Sequence, residues 1–68
     1  SPASIEAYVK ANPDKAKAYK AAIKGVEDAK KVLADWVGTK PERNDENTKK
    51  FAELQKSIQT AQDELAKF

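Results

Sequence analysis

Asp28 and Asp35 are seven residues apart, so on a helix their carboxylates share one face. Paired carboxylates can divide general acid and base duties if a cleft holds them in unlike environments. Here lysines stand beside both and no cleft is organised around them, which reads as solvated charge. Asn44, Asp45, Glu46 and Asn47 bring together the oxygen donors of a calcium site. The twelve-residue loop with its central glycine and terminal glutamate is absent, however. The chain has no histidine and no cysteine, the residue types that most often serve as general base, nucleophilic thiolate or transition-metal ligand. No glycine-rich loop is present to cradle a phosphate. Lys30-Lys31 and Lys49-Lys50 lack the interleaved aromatics of a nucleic-acid patch. The expectation is therefore a protein without catalytic, cofactor or metal residues.

The residue that asks for another explanation is Trp36. It lies in the stretch from Leu33 to Asp45, which also holds Gly38 and Pro41, so the largest apolar side chain stands at the lip of a polar turn. One reading has the indole fold over a helical end as a lid on Leu33, Val37 and Phe51 with its N–H kept wet. The other makes it an aromatic anchor for a partner's pocket, since tryptophan is enriched among interface hot spots. Both readings stay open at this point.

Three helical segments position these residues. The first runs over about 2–11, with Ser1 as cap, Pro2 at the first helical position and Ile5, Tyr8 and Val9 on one face. Asn12-Pro13 ends it, and Asn12 is expected to cap a second helix over about 13–37. Tyr19, Ile23, Val26, Leu33 and Val37 form the apolar stripe of that helix, and Gly38 is placed for a left-handed C-cap. Gly25, mid-helix, costs about 1 kcal/mol against alanine and so predicts a close approach by another element. The third helix spans about 46–67, capped by Asn44 or Asp45, unless Thr39 and Glu42 form an earlier capping box. Phe51, Leu54, Ile58, Ala61, Leu65 and Phe68 make its seam. Glu6–Lys10, Glu27–Lys31, Glu46–Lys50 and Asp63–Lys67 are acid-first pairs four apart, the more favourable order.

A short turn between two long helices makes them antiparallel, giving an all-α three-helix bundle, with the short first helix packed on a long antiparallel hairpin. At 1.5 Å per residue the first helix is only about 15 Å long, so it can cover the end made by the start of helix two and the close of helix three. The Trp36 end stays a two-helix layer. Two uncharged flanks then turn to opposite faces of the hairpin. One is Ala18, Ala21, Gly25, Ala29, Val32 and Trp36; the other is Thr48, Ala52, Gln55, Gln59, Gln62 and Ala66. The small residues of the first suit packing against helix one. The candidate partner-binding residues are Val32 and Trp36 with the adjacent turn, Ala29 at the margin, and, as a second surface, Thr48, Ala52, Gln55 and Gln59, because interface cores are depleted in charge.

Sixty-eight residues allow one domain, here residues 1–68, and one small core. Thirteen basic and eleven acidic residues are interspersed, for a net charge of +2, which favours neither nucleic acid nor an anionic membrane as partner. No signal-peptide or transmembrane pattern is evident, and the chain reads as soluble.

The Ser-Pro start, the acid-first pairs, the capped turns and the missing Cys, His and Met resemble a de novo designed three-helix mini-binder. That resemblance implies binding to a protein target without chemistry, by a chain that is monomeric when unbound. Gly25, the polar run Gln55 to Gln62 and the Lys40–Asn47 turn depart from that class. Trp36-Val37-Gly38 between antiparallel helices also resembles the Trp-X-Gly motif of small secreted effectors of Gram-positive and mycobacterial export systems. That implies a bacterial surface or secreted helical-hairpin module, although the tyrosine-to-acid export signal at the C-terminus of those effectors is missing here.

Overall fold

The computed structural model describes residues 2–68, residue 2 by its backbone alone. Three helices account for nearly all of them: α1 (Pro2–Ala11), α2 (Ala16–Gly38) and α3 (Asp45–Ala66). The protein is an all-α three-helix bundle. Trp36 meets Phe51 at one end, with ring centroids 6.4 Å apart, and Tyr19 meets Phe68 at the other, 5.5 Å apart, so α2 and α3 run antiparallel. Helix α1 packs on α2, and among the described residues no Cα of α1 comes within 8 Å of one in α3. Its Tyr8 ring joins Tyr19 at 4.2 Å and Phe68 at 6.3 Å, which ties the short helix to the end away from Trp36.

This is a rod of 48 × 19 × 15 Å. Its radius of gyration is 15.2 Å, against about 11 Å for a compact domain of this length. The chain exposes 5449 Å², against about 4,200 Å² for a compact monomer of its mass. Among the described residues only Val26 is buried, at 8% exposure. Leu33, Leu54, Ile58, Ala61 and Leu65 are half-buried along the seam. Val37 and Phe51 keep the periodicity of core residues yet remain 47% and 38% exposed, because no third helix reaches them.

The turns depart from their expected chemistry. Helix α2 begins at Ala16, not Pro13, and its N-cap Lys15 makes no side-chain cap hydrogen bond. Asn12 closes α1 instead of opening α2: its backbone N–H and its Nδ2 both donate to the Tyr8 carbonyl, at 2.8 and 3.0 Å. Its own carbonyl accepts from the Lys15 N–H, and that tight turn occupies the residues expected to be the first helical turn of α2. At the far end Gly38 is helical with negative φ. The left-handed residue is Lys40, at φ 54°. The helix runs through Gly38 with Thr39 as its C-cap, so Lys40 occupies the next position, where a left-handed residue commonly ends a helix. Thr39 bridges the gap: its N–H and its Oγ1 both donate to the Trp36 carbonyl, at 3.0 and 2.6 Å. The entry to α3 follows the later of the two expected starts. The Asn44 side chain accepts from the Asn47 N–H at 2.8 Å, with Asp45 and Glu46 in the first turn facing the positive end of the helix, and no Thr39–Glu42 box forms.

Helix α1 also takes the other face of the hairpin. Its Ile5 shares a groove with Ile23 and the stems of Lys20, Lys24 and Glu27, on the side of α2 away from Gly25 and Ala29. A Cβ added at Gly25 would meet nothing within 4 Å. The close approach expected from that glycine is absent, and the flank running from it to Trp36 is left open.

Candidate protein-binding site

The last turn of α2, the 39–44 connection and the first two turns of α3 enclose an open concavity of ≈ 590 Å³ at the tip of the hairpin. Its apolar wall is Trp36, Val37, Pro41 and Phe51; its polar wall includes Lys40, Arg43, Asn47 and Thr48. The size is within the range of pockets that accept a bulky side chain or a small ligand. The walls are held by backbone-directed bonds rather than by a packed core. Asn47 Nδ2 donates to the Glu42 carbonyl at 2.8 Å and so pins the connection onto α3. Thr48 Oγ1 donates to the Asn44 carbonyl at 2.9 Å, which fixes the Thr48 side chain along the concavity.

Trp36 takes up part of the lid role. The indole is half-buried and lies tilted at 42° against Phe51, so it seals part of the seam. Lys50 Nζ sits 5.3 Å from the ring centroid, a cation–π contact that covers one face of the ring. Beside it on the same flank, Val32 is 53% exposed. Together with Val37 and Phe51 they leave exposed apolar surface near the tip.

The candidate residues do not all share this site. Trp36 and Thr48 line the same concavity; Val32 does not, and stands exposed one helical turn before Trp36. Ala29, half-buried, lies further along α2 in a separate trough with Gly25, Ser57 and Ala61. Ala52, Gln55 and Gln59 are exposed and occupy the flank of α3 on the opposite face. Gln59 spends its Nε2 on Asp63, donating at 2.8 Å. Val37 and Phe51 lie outside the expected surface because their spacing marks them as core, whereas Pro41 falls in the turn expected beside Val32 and Trp36. The exposure of Val37 and Phe51 follows from the length of α1, which is a tertiary fact.

Surface charge is arranged differently from the acid-first pairs read in the sequence. Among the described residues the ion pairs are Lys24–Asp28 and Lys31–Asp35, both 2.8 Å and base-first, and Lys67–Glu64 at 2.9 Å. Lys31 thus prefers Asp35 to Glu27, Lys67 prefers Glu64 to Asp63, and Lys50 turns to the indole instead of Glu46. Such exposed pairs differ by only about 0.5 kcal/mol, so order along the helix is easily overridden. The hydrogen bonds that Lys24 and Lys31 donate to Asp28 and Asp35, then the charges of those carboxylates, raise both lysines above the ordinary value of 10.5. Asp28 and Asp35 are each spoken for by a lysine, and among the described residues no group of three acidic, His or Cys side chains is placed to hold a metal ion. Among the described residues no helix is long and apolar enough to cross a membrane. No protein-family model, curated protein or solved structure matches the chain, so the geometry of the hairpin tip is what a functional reading has to stand on.

Proposed function

We propose that the protein is a non-catalytic protein-binding module of the mini-binder kind, which presents the rigid tip of its helical hairpin to a target protein. The observation that carries this reading is the ≈ 590 Å³ concavity walled by Trp36, Val37 and Phe51, left open where α1 stops, with Val32 exposed one turn before Trp36. A partner side chain seated there buries an aromatic anchor against walls already fixed by Thr39, Asn47 and Thr48, so little ordering opposes association. The connection 40–43 supplies a polar rim. Ala52, Gln55 and Gln59 face the other way and belong to a second, weaker surface.

Capture from a mixture of candidate targets, followed by an alanine scan, tests the reading. Trp36→Ala is expected to weaken binding by about 2 kcal/mol or more, roughly 30-fold, while the free variant keeps its helical circular dichroism. If the substitution chiefly unfolds the chain and the folded fraction binds as before, the indole is only a lid and the proposal fails. The bacterial secreted-hairpin alternative predicts instead that the chain's coding sequence sits in a natural genome beside homologous export modules.

A further inference from the structure

The face of the hairpin opposite α1 has no partner within the chain. Gly25 and Ala29 of α2 and Ser57, Thr60 and Ala61 of α3 form a trough of ≈ 440 Å³ there, and Glu53 and Lys56 stand on its rim. The trough is open down to the glycine, since a Cβ at Gly25 would have no neighbour within 4 Å. Further along the same uncharged flank Val32 is 53% exposed, and one turn beyond it comes the indole of Trp36. The flank therefore presents, in order, a recess, an exposed apolar midpoint and a bulky ring. Recess and ring are about 13 Å apart along the helix.

That order is self-complementary. A two-fold axis lying in the interface plane, across the helices at the level of Val32, turns the two faces toward each other and carries Trp36 of one copy to the level of the Gly25–Ala29 trough of the other. The Trp36–Phe51 and Tyr19–Phe68 contacts set Gln55 level with Val32, so the same rotation carries Glu53 to within about one residue's rise of the other copy's Lys56. Among the described residues neither Glu53 nor Lys56 forms an ion pair inside its own chain. We propose that a second copy of this chain docks on this face, each copy placing Trp36 in the other's trough and pairing Glu53 with the other's Lys56. The overlapping strip is about 20 Å long and spans the 19 Å extent of the molecule, roughly 400 Å² per copy in projection. At about 800 Å² in all this is below the size of a stable interface and fits a weak, transient dimer. It departs from the monomer expected of the free chain. It does not rest on the binding reading above, because a target protein and the second copy compete for Trp36.

Sedimentation equilibrium on the full chain, from about 5 µM to about 1 mM, tests it. The weight-average mass is expected to rise from 7.5 kDa toward twice that value. Gly25→Leu fills the trough without opposing the monomer fold and is expected to weaken dimerisation by about tenfold or more. Glu53→Lys and Lys56→Glu are each expected to weaken it by about fivefold, and the double exchange to restore it to within about twofold. A mass fixed at the monomer value up to 1 mM overturns the proposal, as does a Gly25→Leu variant that dimerises like the parent or a double exchange no better than the single changes. A monomer that still binds a target through Trp36 would sink this proposal and leave the binding function standing; a dimer that binds no target would do the reverse.

Discussion

Gly25→Ala is expected to stabilise the protein. The residue lies ten positions into α2, with negative φ and open space where a methyl group would go. Replacing a mid-helix glycine by alanine then gains about 0.8–1.0 kcal/mol, because the unfolded chain loses conformational freedom and nothing in the folded state is displaced. Against a total stability of about 3–10 kcal/mol for a chain of this length, the gain is large. An unfolding entropy of about 2.1 cal/mol/K per residue gives about 0.14 kcal/mol/K for 68 residues, so the melting temperature rises by about 6–7 °C. The assay is thermal unfolding followed by circular dichroism at about 10 µM, where self-association at the strength proposed above contributes little. A melting temperature that stays level or falls would refute the reasoning. It would mean that another element packs against Gly25 in solution, as the glycine's position in the sequence first suggested, and that α1 sits on the wrong face.

Three further outcomes follow from the turns and the surface charge. Asn44→Ala removes the side chain that caps α3 and is expected to cost about 1 kcal/mol in chemical denaturation, with Asn44→Gly and Asn44→Asp much less harmful; equal losses for all three would show that the cap is not what matters. Lys40→Gly relieves the one left-handed non-glycine residue and should add about 0.5–1 kcal/mol, read as a higher urea midpoint at unchanged slope. Lys24 and Lys31 have folded-state pKa values above the ordinary 10.5, so their stabilisation is complete below that pH and is lost as pH rises through the folded values. A Lys24→Gln, Lys31→Gln double variant should therefore melt below the parent at pH 8 and converge with it well above pH 10.5, and a gap that persists there would contradict the assignment.

The sequence made the helices legible wherever one helix decides its own fate. The seam from Phe51 to Leu65, the late start of α3 at Asn44 and the antiparallel pairing all follow from periodicity and capping, and the structure keeps them. Position across the bundle was not legible. Ile5, Tyr8 and Val9 give α1 an apolar face but do not say which side of the hairpin it covers. The Asn12–Lys15 turn settles that by closing α1 first and delaying α2 to Ala16. The placement of Trp36 at an under-covered end was readable from the length of α1. The concavity beside it was not, since Val37 and Phe51 carry the spacing of core residues and only the missing third layer exposes them. Gly38 misled for a local reason: the helix continues through it to the Thr39 cap, which puts the left-handed position at Lys40.

The aromatic residues divide cleanly between the two ends of the rod. Trp36 is the only tryptophan, and Tyr8 and Tyr19 are the only tyrosines, stacked together about 25 Å from it along α2. The molecule thus carries two intrinsic chromophores that report on different places. Indole emission follows the hairpin tip, and near-ultraviolet tyrosine signals follow the docking of α1. If α1 peels away before the hairpin opens, the two optical traces will separate on heating, without any label having been attached.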